Sequence, residues 1–261
     1  MKVLFIGDIV GKPGRNALKQ GALKLIDKLK IDFVVANAEN AAGGFGITKT
    51  VGEELFSMGV INVLTSGNHI WDKKEAITYI EEENRLLRPA NYPEEVPGRG
   101  SIVVTTPGGG KIAVLNISGR VYMNQLDCPF KTAKREIPRL KEHTNAIIVD
   151  FHAEATSEKS AFGWFLDGEV SAVIGTHTHV QTADETILPK GTAFITDAGM
   201  TGPVNSVIGV NKDLVIKRFL TNIPIRFETA KGASVLSGVV FEIDPQSGKA
   251  DNIQRLQIKF S

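Results

Sequence analysis

Val3-Leu4-Phe5-Ile6-Gly7-Asp8, Phe33-Val34-Val35-Ala36-Asn37-Ala38-Glu39-Asn40 and Val60-Ile61-Asn62-Val63-Leu64-Thr65-Ser66-Gly67-Asn68-His69 share one plan: a short apolar run, then polar side chains. Residues 3–6, 33–36 and 60–64 read as strands; the continuous run at 3–6 is that of a strand buried on both faces. Between the first two, residues 16–29 carry apolar side chains at Ala17, Leu18, Ala22, Leu25, Ile26 and Leu29, the spacing of a helix. Thr48 suits the N-cap of a helix running through Met58, with Glu53 and Glu54 in its early turns, and Asp72 suits the N-cap of another that ends near Glu82. Strands alternating with helices in this way predict a parallel sheet with right-handed crossovers.

The middle of the chain changes character. Residues 101–106 and 111–117 are β-like runs joined by Pro107-Gly108-Gly109-Gly110, a hairpin signal. A helix is expected over 132–142 and short buried strands over 146–151, 170–175 and 192–196. A second hairpin, 234–243 with 253–260, closes on Asp244-Pro245-Gln246-Ser247-Gly248. Residues 84–100 and 197–232 are the least regular, and loops of that length are often functional. Together these segments predict an α/β fold of two packed mixed sheets with helices outside, in a single domain over 1–261.

A chain of 261 residues with 42% hydrophobic and 23% charged side chains can bury a sizeable core. Its formal charge of +1 gives no electrostatic argument for nucleic acid or an anionic membrane as partner. With no apolar run of about 18 residues, no membrane span is expected. Cys128 is the only cysteine and reads as a small residue near a turn before Pro129; an intrachain disulfide cannot form, and the expected location is the reducing cytoplasm.

Four of the five histidines stand in motifs at strand ends, among carboxylates and carboxamides. Ligands bind at the carboxyl ends of strands in open α/β sheets, so Asp8 is placed to hold a metal; it would serve equally as a helix N-cap. A dinucleotide loop fits poorly, because Gly7, Gly11 and Gly14 have the wrong spacing and a carboxylate would repel a pyrophosphate. Glu39 and Asn40 can face one ion only if the backbone turns at once, which Ala41-Ala42-Gly43-Gly44 permits. With two oxygens, Glu39 can bridge two ions. Asn68 offers a carbonyl oxygen, and His69 beside it, at the rim, is an acid–base group one residue from the metal. His152 ends the strand 146–151, with Asp150 and Glu154 as alternatives to it. His177-Thr178-His179, if extended, places both imidazoles on one side. Glu154, Asp184, Glu185 and Asp197 read as supporting or surface acids.

The ligand candidates are thus Asp8, Glu39, Asn40, Asn68, His152, His177 and His179, too many for one ion and suited to two. Oxygen plus imidazole suits manganese, iron, cobalt or zinc, and the lack of thiolates argues against a structural zinc site. Two divalent ions against two carboxylates leave positive charge for a phosphate, so the expected chemistry is hydrolysis of a phosphate ester.

These residues, in this order, resemble the calcineurin-like metallophosphoesterase superfamily, most specifically in Gly67-Asn68-His69 and Gly175-Thr176-His177-Thr178-His179. Two motifs depart from it: Asp8-Ile9-Val10 stands where Asp-x-His is usual, and Ala38-Glu39-Asn40 where Gly-Asp-x-x-Asp is usual. Both departures look like the bacterial YmdB-like branch, over essentially the whole chain. So do Gly7-Asp8-Ile9-Val10-Gly11, Ala38-Glu39-Asn40-Ala41-Ala42-Gly43-Gly44 and Thr196-Asp197-Ala198-Gly199-Met200-Thr201-Gly202-Pro203. The resemblance implies a four-layer α/β/β/α sandwich, oligomers, a di-iron-type site, and phosphodiesterase activity on 2′,3′-cyclic and 3′,5′-cyclic AMP. It also implies that Asn40 takes the place left by the missing first-motif histidine.

The expected arrangement has one ion on Asp8, Glu39, Asn40 and His179 and the other on Glu39, Asn68, His152 and His177. A bridging water of lowered pKa attacks phosphorus, and protonated His69 protonates the leaving alkoxide. Rival readings are a phosphomonoesterase or protein phosphatase at the same site, and a regulatory or RNA-interaction protein using the fold. A deep pocket rimmed by residues 84–100 and 197–232 would favour small nucleotides; an open groove would favour peptides.

Overall fold

The computed structural model describes residues 1–106 and 108–261; Pro107, in the first expected hairpin turn, lies outside the described residues. In chain order the elements are β1 (Lys2–Ile6), β2 (Asp8–Ile9), α1 (Gly11–Leu29), β3 (Phe33–Asn37), α2 (Lys49–Ser57), β4 (Val63–Thr65), α3 (Lys74–Glu82), β5 (Ser101–Thr105), β6 (Lys111–Ser118) and α4 (Pro129–Lys141). They continue as β7 (Ile147–His152), α5 (Thr156–Phe165), β8 (Ala172–Thr176), β9 (Thr186–Ile187), β10 (Ala193–Ile195), β11 (Met200–Pro203), α6 (Lys212–Thr221), β12 (Ser234–Ile243) and β13 (Ala250–Phe260).

Two mixed sheets form. One runs β2-β11-β12-β1-β3-β4 with β13 paired to β12; the other runs β5-β6-β7-β8-β10-β9. Strand alternation explains how they stack. In β1 and β3, Val3, Phe5, Phe33 and Val35 join one core with Ile112, Val114, Ile148, Ala172, Ile174, Ala193 and Ile195 of the second sheet. The intervening Leu4, Ile6, Val34 and Ala36 pack on Ala17, Leu18, Ala22 and Leu25 of α1 and Leu55 of α2. On the far side, Ala113, Leu115, Ile147, Val149 and Val173 meet Ala133, Ile137 and Leu140 of α4 and Phe162 of α5. The result is the four-layer α/β/β/α sandwich.

The same alternation decides where the polar residues go. Continuing along the faces that meet between the sheets, Asn37, Thr65, Asn116, Asp150, His152 and Thr176 fall in the gap at the carboxyl ends of their strands, and all are buried. β1, β3 and β4 are parallel, as are β6, β7 and β8, so these ends lie together. The gap is apolar along most of its length and polar at one end.

Several sequence expectations are corrected. α1 begins at Gly11 rather than residue 16, because Pro13 is tolerated in a first helical turn, where its missing N–H has no partner to lose. Asp8 caps no helix: it sits in β2, and the residue at the N-cap of α1 is Val10. Nor does Asp72 cap α3. Lys73 occupies that position without a side-chain cap, and Asp72 turns to His69 instead. α4 starts at Pro129 rather than 132, with Cys128 half-buried at its N-cap position. α5 was not expected; its buried Glu158 and Lys159 break the apolar periodicity. The segment 197–232 holds β11 and α6 rather than only loop. Among the described residues, no helix is long and apolar enough to cross a membrane.

Candidate metal centre

All seven ligand candidates converge at the polar end of the inter-sheet gap. The donor atoms of Glu39, His152 and His177 lie within 4.8 Å of one another, and so do those of Asp8, Glu39 and His179. Glu39 belongs to both groups. Asn68 Oδ1 lies 3.0 Å from His152 Nε2, and Asn40 Oδ1 lies 3.2 Å from His179 Nε2, which adds one carboxamide to each group.

Each side chain arrives through a local backbone device. Beyond β3 the chain turns at once, Ala41 N–H donating to the Ala38 carbonyl, so that Glu39 and Asn40 face inward together. The Asn40 amide nitrogen donates to the Gly44 carbonyl at 3.0 Å, which turns its oxygen toward His179. Beyond β4, a Cβ on Gly67 would overlap the His152 ring and a Glu39 oxygen, so only glycine lets this turn approach so closely. His177 and His179 do not use strand alternation: both lie beyond β8 with positive φ, 101° and 66°. A non-glycine residue held there costs about 1–3 kcal/mol. Hydrogen bonds offset that strain. Thr178 donates its N–H (3.0 Å) and its hydroxyl (2.7 Å) to Asp197 Oδ2, and His177 N–H donates to Asp8 Oδ2 at 3.1 Å. Asp197 is itself held by the buried ammonium of Lys159 at 2.7 Å. This explains Asp197 as a support for the turn.

The outer partners choose which ring nitrogen faces inward. Thr176 hydroxyl donates to Asp150 Oδ1 (2.7 Å) and so accepts from His152 Nδ1–H (2.9 Å), which turns Nε2 into the site. Glu154 Oε2 takes the Nε2 proton of His177 at 2.9 Å, and the Ile208 carbonyl takes the Nδ1 proton of His179 at 2.8 Å. Such partners orient metal-binding imidazoles and raise their basicity. Asp150 also accepts from Thr65 (2.5 Å) and Asn37 (3.0 Å); it supports the centre and does not replace His152. Asn37, Thr65 and Thr176 were not singled out in the sequence, although polar residues inside buried apolar strands were the available signal.

This donor set fits metal ions. Around His152 Nε2 stand Asn68 Oδ1 (3.0 Å), Glu39 Oε1 (3.1 Å) and His177 Nδ1 (3.0 Å). One N–H satisfies at most one of these acceptors, whereas one divalent cation satisfies them all. Asp8 Oδ1 is buried with no hydrogen-bond partner, a costly state for a carboxylate oxygen unless a cation meets it. Burial alone would raise the Glu39 carboxyl, but His152 and its neighbouring imidazoles outweigh burial and hold it at about 2. Burial likewise opposes the charge on His152, yet Glu39 lifts it to about 9; burial and charged His152 push His177 down to about 3. Burial raises Asp8, against the pull of His179 and His152.

His69 stands outside the donor clusters. Its Nδ1 lies 2.8 Å from Asp72 Oδ2, its ring packs edge-on against Phe45 with centroids 5.1 Å apart, and its N–H donates to Glu39 at 3.2 Å. It lines a cavity of about 290 Å³ together with Glu39, Asn40, His177 and His179. The walls come from residues 208–210 and 227–229 of the irregular segment. Residues 84–100 do not line it: Leu86 and Leu87 are buried, and Leu87 N–H donates to the Leu64 carbonyl at the edge of β4.

Asp150→Asn tests the outer support. One carboxamide oxygen cannot accept from Thr65, Thr176 and Asn37 together, so His152 loses its fixed tautomer. Metal affinity should fall roughly 10–100-fold, measured by competition with a chelator, with the fold checked by circular dichroism.

A family described as "YmdB-like protein" matches residues 4–256. The "2′,3′-cyclic-nucleotide 2′-phosphodiesterase" of Bacillus subtilis (strain 168) is 50% identical over 258 residues, spanning 99% of this chain and 97% of that protein. The crystal structure of a novel phosphatase from Mycoplasma pneumoniae superposes with a TM-score of 0.92 at 39% identity, covering 99% of this chain and 93% of that one. That of a hypothetical protein from Thermus thermophilus gives 0.92 at 38% identity, covering 99% of both chains. With the match spanning nearly the whole sequence, this chain belongs to the YmdB-like family.

Proposed function

We propose that the protein is a metal-dependent phosphodiesterase that opens 2′,3′-cyclic nucleotides, with 3′,5′-cyclic AMP as a further substrate of the same site. The observation that carries this reading is the meeting of Asn68 Oδ1, Glu39 Oε1 and His177 Nδ1 around His152 Nε2, beside a second cluster that shares Glu39. The activity for which the Bacillus subtilis relative is named supports the substrate.

In this reading Asp8, Glu39, Asn40 and His179 hold one divalent transition-metal ion, and Glu39, Asn68, His152 and His177 hold the other. Iron, manganese, zinc and cobalt all suit oxygen and imidazole donors. Bound there, such ions supply Lewis acidity toward the phosphoryl oxygens and water of lowered pKa. A water oxygen bonds to phosphorus, and the bond from phosphorus to one ribose oxygen breaks. His69 gives its proton to that oxygen, and Asp72 orients the imidazole. A cytoplasmic location and assembly into oligomers belong to the same reading; Phe219, Leu220 and Ile223, exposed on and after α6, favour association.

The Mycoplasma pneumoniae neighbour, described as a novel phosphatase, favours a second reading, a phosphomonoesterase. A substrate panel on metal-replete protein separates the two. The diesterase reading expects kcat/KM on 2′,3′-cyclic AMP well above that on phenyl phosphate or a phosphoserine peptide. A preference for either monoester would overturn it.

A further inference from the structure

We propose that the apolar half of the cavity, walled by Phe45 and Phe227, is a nucleobase subsite that stacks the base without reading its edges. This rests on the phosphodiesterase reading above.

The placement follows from the chemistry of the leaving group. When a cyclic phosphodiester opens, the oxygen that leaves phosphorus remains on the ribose. The group that protonates it therefore stands on the ribose side, and the base lies beyond. Phe45 packs edge-on against His69, so an aromatic ring already occupies that side. Val10, Ile208, Val210 and Phe227 complete the apolar wall of the same cavity. The whole cavity, about 290 Å³, sits at the lower end of ligand pockets, roughly 300–1,000 Å³, and must hold the phosphate and ribose as well as the base, which suits one mononucleotide.

Charge narrows the ligand further. No lysine or arginine is among the described residues lining the cavity, whereas Glu154 and Glu228 are. A neutral base is accommodated, and a second phosphate is repelled. Phe45, Phe227, Val10, Ile208 and Val210 offer neither donors nor acceptors to a base edge; Glu228 and Thr229 are the polar residues beside Phe227. Aromatic stacking tolerates every base.

The wall is rigidly tied to the donor clusters. The Gly44 carbonyl, which orients Asn40, is followed by Phe45; the Ile208 carbonyl, which orients His179, carries its own side chain into the wall. Residues 227–230 are clipped to this second segment by Asn211 N–H to the Glu228 carbonyl and Ala230 N–H to the Gly209 carbonyl, both 2.9 Å. Arg218 sits 5.2 Å over the Phe227 ring and helps to hold it.

The test compares 2′,3′-cyclic AMP with glycerol 1,2-cyclic phosphate, which has the same reacting ring and no base. Phe45→Ala and Phe227→Ala should raise KM for the nucleotide roughly ten- to a hundredfold, and affect the base-free ester much less. Phe227→Tyr should restore most of the loss. The four common 2′,3′-cyclic nucleotides should differ modestly, with purines ahead. Equal losses on both esters, or a wild type that handles them equally well, would overturn the subsite. Binding of adenosine 3′-monophosphate against glycerol phosphate, followed by calorimetry on metal-replete protein, keeps the two proposals apart. If cyclic nucleotides are not hydrolysed but the adenosine ligand binds more tightly and Phe45→Ala removes that advantage, the subsite stands and the phosphodiesterase reading fails. If both ligands bind alike, the subsite fails whatever the turnover.

Discussion

Glu39→Gln protein is expected to lose both ions and nearly all turnover while keeping its fold. Glu39 is fully buried, and its oxygens contribute to both donor clusters. It is the only residue shared between them, so one substitution weakens both positions. The loss should exceed the roughly 10–100-fold in metal affinity that removal of an outer partner costs. Gln keeps an oxygen to accept from His69 N–H, so the turn after β4 survives. The metal-free variant should still fold but melt below metal-free wild type, because charged His152 loses the buried carboxylate that pairs with it. It should also fail to gain stability when metal is added, whereas wild type gains it by mass action. Metal analysis and thermal melts with and without metal decide this. Two ions retained with normal turnover would remove Glu39 from the centre.

The second large effect separates His69 from the ligands. His69→Ala should retain its metal, because the ring lies outside both donor clusters and bonds to Asp72. General acid catalysis is worth roughly a hundred- to ten-thousandfold in rate. Turnover of 2′,3′-cyclic AMP should fall within that range. A nitrophenyl phosphodiester, whose leaving group needs little protonation, should lose far less, provided bond cleavage limits both reactions. Equal losses on both substrates would make His69 a positioning residue, and lost metal would make it a ligand.

Much of this was legible in the sequence because two simple periodicities carry it. Apolar runs at 3–6, 33–36 and 146–151 mark strands buried on both faces, and the polar motif after each marks the sheet end where a site forms. The seven ligand candidates and His69 therefore met as their strand-end positions required. What was not legible depended on contacts between distant segments. His177 and His179 looked like an alternating extended pair, but their left-handed backbone is imposed by Asp197, Lys159 and Asp8, which the local sequence does not reveal. α5 stayed hidden because its inward face includes Glu158 and Lys159, whose charges are met by the backbone N–H groups of Arg120 and Val121 and by Asp197. The support offered by Asp150 needed the packing of β3, β4, β7 and β8 to be known, since Asn37, Thr65 and Thr176 reach it from three other strands. Phe45 and Phe227 lie far apart in the chain and meet the site only through the Gly44 and Ile208 segments.

A metal titration of chelator-stripped protein, with bound metal and hydrolysis of 2′,3′-cyclic AMP followed together, tests the two-ion centre. Activity should be absent without metal, rise as the ions bind and reach its plateau near two equivalents per chain. Turnover by the stripped protein, or a plateau at one equivalent, would contradict a centre in which Glu39 joins two ions.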